Sequence, residues 1–381
     1  MKKKILSAIL CLGLTASLIS GCTESVGNKV SFSSDSSASA SVSSASASVS
    51  SASASVSSTS AASGNTTSEN APAGTAAESP SENSTESANR AAASSKAPLG
   101  TVTDITWKNP HAHRKPSSGV AHSEEDYKKH LTVYCLNEGK ADAFVMFVGT
   151  SNAVVIDCGK AKDGDDILDV LEEQGIEHIS ALIVTHFDKD HVGGADEVIN
   201  GSDVEKIYTT HGTKDSKQVK EFEEAMELNN KTPIVVREYT SFEVDGTKYE
   251  IFPPLKESYG DEDNESNNSS LVVKVTNADN SVLFAGDVEN ERLPELIASD
   301  YDLTCDILKV PHHGRAEKLT EQFIKKVTPQ YAIITSSKEE PEDKEVLDIL
   351  KAFEVETYLT RNGEILIDTL PGEIKVDQYD D

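Results

Sequence analysis

The sequence is poor in cysteine, in basic residues and in long apolar stretches, and each shortage excludes a class of protein. Only three of the five cysteines lie beyond residue 22, an odd number that gives no disulfide framework. The apolar stretch 5–19 is shorter than the roughly 20 residues that cross a bilayer, so we expect no membrane channel. Lysine and arginine number 35 against 64 acidic residues, and the net charge of −29 repels phosphate backbones. This charge argues against tight binding of nucleic acid over the whole surface.

The start of the chain has the features of an export signal. Three lysines precede the apolar stretch, and the residues that end it, 18–22, resemble the lipobox of bacterial lipoproteins. We expect residues 1–21 to be removed as a lipoprotein signal peptide and Cys22 to become the lipidated first residue. An ordinary secretory signal cut nearby is the alternative. In both cases the protein is exported, and its only predicted contact with the membrane is the lipid anchor.

Two segments separate this signal from the part of the chain that can fold. Residues 22–98 are rich in Ser, Ala and Thr and too poor in large apolar side chains to offset chain entropy, so we predict a disordered tether. Residues 99–130 form a leader in which His111 and His113 could bind a metal. No strand or helix signal flanks them, which favours a mobile segment. Residues 131–381 remain, about 250 residues and enough for one domain with a sizeable core.

Strands come in two groups in this domain, and helices follow each group. Apolar or alternating runs predict the strands, and apolar residues at helical spacing predict the helices. Two sheets packed face to face, with helices on their outer faces, accommodate this pattern. We therefore predict an α/β fold of the αββα sandwich type. The predicted strands are 131–136, 143–148, 153–157, 179–184, 205–209, 248–252, 270–275, 281–285, 306–310, 331–335 and 355–359, and the predicted helices are 165–174, 216–228, 290–298, 318–327 and 343–352.

The most informative stretch directly follows the apolar run 179–184, at the carboxyl end of a predicted buried strand. It places two imidazoles and two carboxylates within six residues, as His186, Asp188, Asp190 and His191. Nitrogen and oxygen donors packed this densely repel one another and are costly to order unless a cation holds them. A solvated polar loop with two histidines is the alternative. We predict a metal-dependent hydrolase.

This stretch resembles the metal-binding motif of the metallo-β-lactamase superfamily, in a variant with Asp188 where histidine is commoner. The aspartate form is similar to the hydrolase domain attached to ComEC-type channels for DNA uptake in competence. The resemblance implies the αββα fold and two divalent metal ions, Zn or Mn, since an oxygen donor at Asp188 favours the harder ions while zinc remains feasible. Further blocks match in order at 131–143, 155–159, 267–272, 283–287 and 306–314.

The resemblance also implies which residues bind the two ions, and Asp190 is a catalytic candidate as well. The superfamily usually supplies one more histidine between this motif and the aspartate that bridges the two ions. Here only His211 lies in that interval, either as a ligand by local rearrangement or as a surface histidine. The implied ligands are His186 and Asp188 for one ion, Asp190 and His191 for the other, Asp287 as the bridge, and His313, or else His312, from the late block.

Other residues are candidates for supporting roles. Asp157 would orient a ligand imidazole by accepting its second N–H, or would cap the following loop. Lys309, the second catalytic candidate, and Arg315 bracket the late histidines and could hold an anionic substrate or stabilise developing charge. Lys309 could equally end a strand without any role. Asn268 and Ser269 offer donors for substrate binding.

The function we predict is a two-metal phosphodiesterase or nuclease outside the cytoplasm. Its substrate would contain a phosphodiester, such as DNA, a nucleotide or a wall phosphopolymer. An acidic loop at 257–265 would screen the cleft from polyanions, which weakens the nuclease interpretation. The alternatives are a metallohydrolase of esters, amides or lactams, and a non-catalytic surface lipoprotein that keeps a metal for stability. We predict no protein partner.

Overall fold

The computed structural model describes residues 121–149, 152–260 and 262–379. The predicted signal peptide, Cys22, the predicted tether and most of the predicted leader, with His111 and His113, lie outside the described residues. In the described part, the strands form two sheets and helices accompany both.

The strands are short and follow the predicted order closely. In chain order they are β1 (Leu131–Cys135), β2 (Ala143–Val148), β3 (Ala153–Cys158), β4 (His178–Val184), β5 (Asp203–Thr209), β6 (Ile234–Val235), β7 (Thr240–Val244), β8 (Thr247–Phe252), β9 (Val272–Asn277), β10 (Asn280–Phe284), β11 (Ile307–Lys309), β12 (Tyr331–Ile334), β13 (Glu356–Leu359), β14 (Ile365–Leu370) and β15 (Glu373–Gln378).

Both sheets combine antiparallel and parallel pairs. One sheet has the order β15-β14-β1-β2-β3-β4-β5-β6, and it is parallel from β3 to β6. The other has the order β13-β12-β11-β10-β9-β8-β7, and it is parallel from β10 to β13. Each sheet therefore has one half in which several strands end at the same edge.

The helices lie mainly between strands that pair in parallel, as a crossover connection requires. They are α1 (Glu124–Tyr127), α2 (Gly164–Gln174), α3 (Ala195–Gly201), α4 (Lys217–Leu228), α5 (Glu262–Asn268), α6 (Leu293–Ala298), α7 (Thr320–Val327) and α8 (Lys344–Ala352), with short 3-10 turns at Pro311–Gly314 and Thr360–Asn362.

Three apolar layers hold the sandwich together. The central layer lies between the sheets and includes Ile156 of one sheet and Ile307 of the other. Val155, the neighbour of Ile156 in β3, lies on the opposite face of the sheet because side chains alternate along a strand. It packs with α2, α3 and α4. Leu308 packs in the same way against α7 and α8. Full burial of one such side chain contributes about 1.5–3 kcal/mol. The αββα prediction is confirmed.

Helix α4 shows how the sequence pattern produces this packing. Ser216 caps the helix by accepting a hydrogen bond from the backbone N–H of Val219. The buried face consists of Val219, Phe222, Ala225 and Met226, at helical spacing. The sequence also determines where α2 ends, because its C-cap residue Gly175 adopts the left-handed conformation that favours glycine.

The structure differs from the predicted elements in several short segments. The sequence does not predict α3, whose N-cap residue Gly194 has no capping side chain, or β6, which has only two residues. It also does not predict the strands β7, β14 and β15. The predicted acidic loop is wrong over its second half, because 262–268 forms α5. The predicted leader is in contact with the domain at its end, since His130 Nε2 lies 2.9 Å from Asp368 Oδ1.

Two further features of the described residues bear on the predictions. Cys135, Cys158 and Cys305 are free and buried, so they take no part in a disulfide. Cys158 packs in the apolar layer under α2. Within 121–379, apart from the two gaps, no helix is both long and apolar enough to cross a membrane.

Candidate metal centre

Ligand-type residues gather at one edge of the sandwich because they follow parallel strands. β3 and β4 run in parallel, as do β10, β11 and β12. Asp157 lies near the end of β3, His186 follows β4, Asp287 follows β10, His313 follows β11 and Thr335 follows β12. Because the carboxyl ends of parallel strands meet at one edge, strand order assembles residues that are far apart in the sequence.

Asp157 fixes the loop that follows β4. Its carboxylate accepts hydrogen bonds from the backbone N–H of Thr185 at 2.7 Å, from Thr185 Oγ1 at 2.6 Å and from His191 Nδ1 at 2.8 Å. The residue is buried and has a φ of 55°, a conformation that non-glycine residues rarely adopt and that is kept where the surroundings enforce it. One carboxylate thus orients the His191 ring and holds the start of the loop.

His191, His313 and Asp287 converge on a single point. The two Nε2 atoms lie 3.3 Å apart, and Asp287 Oδ2 lies 3.3 Å from His191 Nε2 and 3.1 Å from His313 Nε2. All three side chains are buried. The backbone N–H of Asp287 donates to Ser270 Oγ at 3.1 Å, which fixes the main chain that carries this carboxylate.

The far side of the His313 ring is anchored by Thr335 and Asp142. His313 Nδ1 lies 2.9 Å from both the carbonyl oxygen and the hydroxyl of Thr335, and that hydroxyl donates to Asp142 Oδ1 at 2.6 Å. Because the hydroxyl proton is used on Asp142, the Thr335 oxygens accept from Nδ1. His313 Nε2 is then left with a lone pair directed at the centre, which is the state in which imidazole binds a metal.

His186 presents an unsatisfied nitrogen to the same centre. Its Nδ1 lies 3.1 Å from Thr185 Oγ1, while its Nε2 is buried and has no hydrogen-bond partner among the described residues. The nearest carboxylate oxygen, Asp188 Oδ1, is 4.0 Å away. An unpaired buried polar atom costs about 1–3 kcal/mol, so this nitrogen requires a ligand that the protein itself does not supply.

The two carboxylates of the motif are partly open and each meets a lysine. Asp188 Oδ1 accepts from Lys214 Nζ at 2.7 Å and from the hydroxyl of Ser266. Asp190 Oδ2 accepts from Lys140 Nζ at 2.9 Å and lies 3.8 Å from His313 Nε2. The structure therefore brings together all the implied ligands except His312.

The late histidines lie in a tight left-handed turn that separates them. His312 and His313 have φ values of 48° and 52°, and the backbone N–H of His312 donates to Gly286 O at 3.1 Å. His313 faces the centre, whereas His312 Nδ1 lies 3.0 Å from Glu289 Oε1. Of the two alternatives from the sequence, His313 joins the other ligand-type residues and His312 does not.

Lys309 is a buried counter-charge and is not open to a substrate. Its Nζ donates to Gly286 O at 3.0 Å, lies 3.3 Å from Asp287 Oδ1 and contacts Asp142 Oδ2. The side chain is 1% exposed, with Asp142 and Asp287 on it from two sides. Its three donors already serve these groups, which leaves none for a substrate in this geometry, and the catalytic or anion-holding role of Lys309 stays a prediction.

The predicted substrate-binding residues also have other roles. Asn268 is buried, and its Oδ1 accepts from the backbone N–H groups of Glu289 and Arg292. Ser269 is buried and donates its hydroxyl to Ser266 O at 2.8 Å. The Asn268 side chain organises the loop after β10 and the Ser269 side chain the loop before β9, and the substrate-binding role of both stays a prediction.

Arg315 and His211 lie against partners of their own. Arg315 reaches Asp343 Oδ1 at 3.5 Å. His211 lies 3.0 Å from the Lys256 carbonyl oxygen through its Nε2 and does not belong to any of the ligand groups found in the described residues. The surface interpretation of His211 fits this placement better than a ligand role.

The protonation of the three imidazoles follows from their neighbours. Burial disfavours the charged form of His191, but Asp287, Asp157 and Asp142 outweigh it and hold its pKa well above the usual value. Burial and the charge of His191 lower the pKa of His186 to about 4. Burial also lowers the pKa of His313. His186 and His313 are therefore neutral near pH 7, and their lone pairs are free to bind a cation.

Gly194, the second glycine after His191, has a packing role. A Cβ atom on Gly194 would lie 2.3 Å from the backbone nitrogen of Gly164 and 2.6 Å from the carbonyl oxygen of Cys158. Backbone atoms cannot yield as a flexible side chain can. Gly194 thus lets α3 start directly against the beginning of α2, which positions the motif loop.

Sequence reasoning missed Asp142, Thr335, Lys140 and Lys214. A signal existed for Asp142, since it lies in the block 131–143 that resembles the superfamily. Thr335 carries no recognisable signal, because a threonine at the end of a strand is common. The lysines are recognisable only once folding brings them to Asp190 and Asp188.

These residues fit divalent metal ions. The donors are imidazole nitrogens and carboxylate oxygens, both common ligands of zinc and manganese. The orphan nitrogen of His186 and the convergence of His191 and His313 on Asp287 point the lone pairs inward. Two groups of mutually close ligand atoms share His191, namely Asp142–His191–His313 and His186–His191–Asp287.

Comparison with known proteins agrees with this geometry. The family model described as the metallo-beta-lactamase superfamily matches residues 137–336. ComE operon protein 3 of Bacillus subtilis is 30% identical over 205 residues, covering 52% of this chain and 26% of that protein. Recombination protein 2 of Haemophilus influenzae is 25% identical over 201 residues, covering 51% of this chain and 23% of that protein. This chain thus matches about a quarter of the length of each relative.

One solved structure covers more of the chain at lower identity. The metallo-beta-lactamase fold protein YhfI from Bacillus subtilis covers 65% of this chain and 99% of its own, with 10% identity and a TM-score of 0.42. The assignment to a family therefore rests on the family model, which matches residues 137–336, more than half of the 381 residues. With that match, this chain belongs to the metallo-beta-lactamase superfamily.

Proposed function

We propose that the protein is a two-metal phosphodiesterase that acts outside the cytoplasm. The observation that carries the proposal is the buried convergence of His191, His313 and Asp287 within 3.3 Å, beside the orphan nitrogen of His186. Membership of the superfamily supports a metal-dependent hydrolase in general. The phosphodiester substrate is the proposed refinement.

The residues divide naturally between two ions. His186 and Asp188 would hold one ion, and His191, His313 and Asp190 the other, with Asp287 shared between them. Two divalent ions in such a site lower the pKa of water and polarise the scissile group. Lys309 and Asp142 do not touch the substrate, and instead they fix the charge and the orientation of Asp287 and His313.

Asp190 is best suited to orient the attacking water. Burial alone would raise its pKa, but His191, His313 and Lys140 outweigh burial and lower that pKa far below its usual value. A carboxylate that holds a proton so weakly is a poor general base. Its carboxylate would instead accept a hydrogen bond from the attacking water and so direct a lone pair of that water at the substrate.

The phosphodiester class is supported by two observations, while the net charge limits the length of the substrate. Asp188 supplies oxygen in place of an imidazole, which favours the harder ions common in phosphoryl-transfer enzymes. The two curated relatives carry names that refer to a ComE operon and to recombination, and recombination is a process of DNA. The net charge of −29 disfavours a long polyanion, so short or single-stranded substrates are preferred.

The proposed location rests on the sequence around Cys22. We propose that Cys22 carries a lipid that anchors the domain to the outer face of the membrane through the long tether. Cys22→Ser should release the protein from the membrane fraction into the medium or the periplasm, as measured by cell fractionation. Retention of the variant in the membrane fraction would rule out this anchor.

The activity is tested with the full-length protein loaded with Mn²⁺ or Zn²⁺. The substrates are bis(p-nitrophenyl) phosphate, single-stranded DNA, a p-nitrophenyl ester and a chromogenic β-lactam. Turnover of the phosphodiesters alone, abolished in Asp287→Asn and retained in the exposed-site control Asp203→Asn, is the expected result. Turnover of the ester or the lactam alone would replace the phosphodiesterase proposal with the rival hydrolase class.

A further inference from the structure

Two lysines at the metal centre have no role in the proposed chemistry so far. Lys140 Nζ lies 2.9 Å from Asp190 Oδ2, and Lys214 Nζ lies 2.7 Å from Asp188 Oδ1. Their side chains are 16% and 22% exposed, whereas a lysine in an ordinary surface pair such as Lys217 is 75% exposed. Both ammonium groups are thus drawn into the site but remain reachable from solvent.

The lysines lie at opposite ends of the row of imidazoles. The His186 ring centroid is 4.0 Å from that of His191, which is 5.3 Å from that of His313. The Asp188–Lys214 pair adjoins the His186 end, and the Asp190–Lys140 pair adjoins the His313 end. A group bound across the centre therefore meets a lysine on each side.

We propose that Lys140 and Lys214 form an anion subsite that grips the phosphodiester group of the substrate from both ends of the metal centre. The inference rests on the proposed function and names the residues that select an anionic substrate. It assigns to these two lysines the role that the sequence predicted for Lys309 and Arg315.

The loops that carry the lysines are fixed by hydrogen bonds to the rest of the site. The backbone N–H of Asp142, two residues after Lys140, donates to Asp190 O at 3.0 Å, which ties that turn to the motif loop. Before Lys214, the hydroxyl of Thr210 donates to Ser269 O at 2.5 Å. Each ammonium is therefore presented from an ordered loop, which lowers the entropic cost of holding an anion.

Charge balance favours an anion at this position. Five aspartates surround the centre, and Lys309 with two divalent ions would balance them. Lys140 and Lys214 are then a surplus of positive charge that faces the solvent side. An ammonium has three donors, so each lysine can keep its aspartate and still donate to a phosphate oxygen. The five are Asp142, Asp157, Asp188, Asp190 and Asp287.

The test measures anion binding separately from turnover. Isothermal titration calorimetry of the full-length, Mn²⁺-loaded protein with inorganic phosphate and with dimethyl phosphate gives the dissociation constants. We expect each of Lys140→Gln and Lys214→Gln to weaken binding about tenfold, and the double variant about a hundredfold, since each substitution removes a charge-assisted hydrogen bond to the anion. Lys140→Arg and Lys214→Arg should retain most of the affinity.

Lys189→Gln is the matched control. Lys189 lies in the loop that follows β4, between the two aspartates that Lys214 and Lys140 contact, but its side chain is exposed. This variant should bind phosphate as the wild type does. Metal content is measured for every variant, because a loss of metal in the Lys→Gln variants would make the effect indirect and overturn the proposal.

The outcomes separate this inference from the proposed function. Weakened anion binding in a protein that hydrolyses no phosphodiester would keep the subsite and reject the phosphodiesterase. Phosphodiester turnover with unchanged KM and unchanged phosphate affinity in the double variant would keep the enzyme and reject the subsite. Absence of phosphate binding to the loaded wild type would also reject it.

Discussion

The Nε2 atoms of His191 and His313 face each other at 3.3 Å. His191 has a raised pKa because three buried carboxylates outweigh its burial, whereas burial lowers the pKa of His313. In the metal-free protein a charged His191 therefore donates its Nε2–H to the lone pair of a neutral His313. That proton occupies the position that a metal ion would take.

The first prediction concerns this proton. His191 is protonated in the metal-free protein and must be neutral when it binds metal, so metal binding releases a proton. Affinity should then rise with pH up to the raised pKa of His191 and become independent of pH above it. Isothermal titration of Mn²⁺ at pH 6, 7 and 8, in buffers with different ionisation enthalpies, measures the proton release. Affinity that falls with rising pH would contradict the assignment.

The second prediction concerns Lys309, which compensates Asp142 and Asp287 inside the protein. Lys309→Met should destabilise the metal-free protein by about 3–5 kcal/mol, because two buried carboxylates lose their partner. Metal should restore much of the loss, since the ions replace the missing charge. The melting temperature with and without Mn²⁺ measures both effects.

A second buried lysine provides the control for this variant. Lys274 is buried and pairs with Asp302 at 2.9 Å, away from the metal centre. Lys274→Met should also lower the melting temperature, but metal should not restore more of it than in the wild type. Equal rescue of both variants would show that metal stabilises the fold without replacing the charge of Lys309.

The third prediction concerns Thr335, whose hydroxyl links His313 to Asp142. Thr335→Val keeps the shape of the side chain but removes the hydrogen bond of 2.6 Å to Asp142 and one acceptor for His313 Nδ1. Loss of a group that orients a ligand imidazole typically weakens metal affinity by about 10–100-fold. Equilibrium dialysis with Mn²⁺ or Zn²⁺ measures this affinity, and circular dichroism confirms that the variant is folded.

The fourth prediction concerns Gly194, where the start of α3 touches the start of α2. Gly194→Ala should destabilise the protein by about 1–3 kcal/mol, because the new Cβ lies 2.3 Å from the backbone nitrogen of Gly164. Gly175→Ala is a useful contrast, since a Cβ there meets no atom within 4 Å and only the φ of 68° opposes it. Urea titration measures the free energy of unfolding of both variants. Gly194→Ala should lose stability through the steric contact, and Gly175→Ala through the unfavourable backbone conformation.

The sequence predicts the fold well because its periodicity is strong where packing decides. The runs behind β3 and β4 are mainly apolar, as is typical of buried parallel strands, and the apolar spacing in 216–228 yields α4. It misses α3 and β6, which are short and whose conformation is imposed by neighbouring elements, and it also misses the strands β7, β14 and β15. The family assignment is confirmed through ordered motif blocks, which carry more information than composition.

The site is predictable only in part, for a physical reason. Dense donors in one loop, such as His186 and Asp188, signal a cation directly. The role of Lys309 depends on what surrounds it after folding, and a strand-end lysine looks the same whether its ammonium faces water or two buried aspartates. The same limit applies to Asn268, whose amide is used by the backbone of a loop that follows β10.

The most direct test of the account is the metal content of the protein. Inductively coupled plasma mass spectrometry of the full-length chain, purified and then loaded with Mn²⁺ or Zn²⁺, gives the number of ions per chain. We expect two ions in the wild type, and one or none in Asp287→Asn with the fold preserved. A folded wild-type protein that binds no divalent ion at all would contradict the metal centre and, with it, the proposed hydrolase.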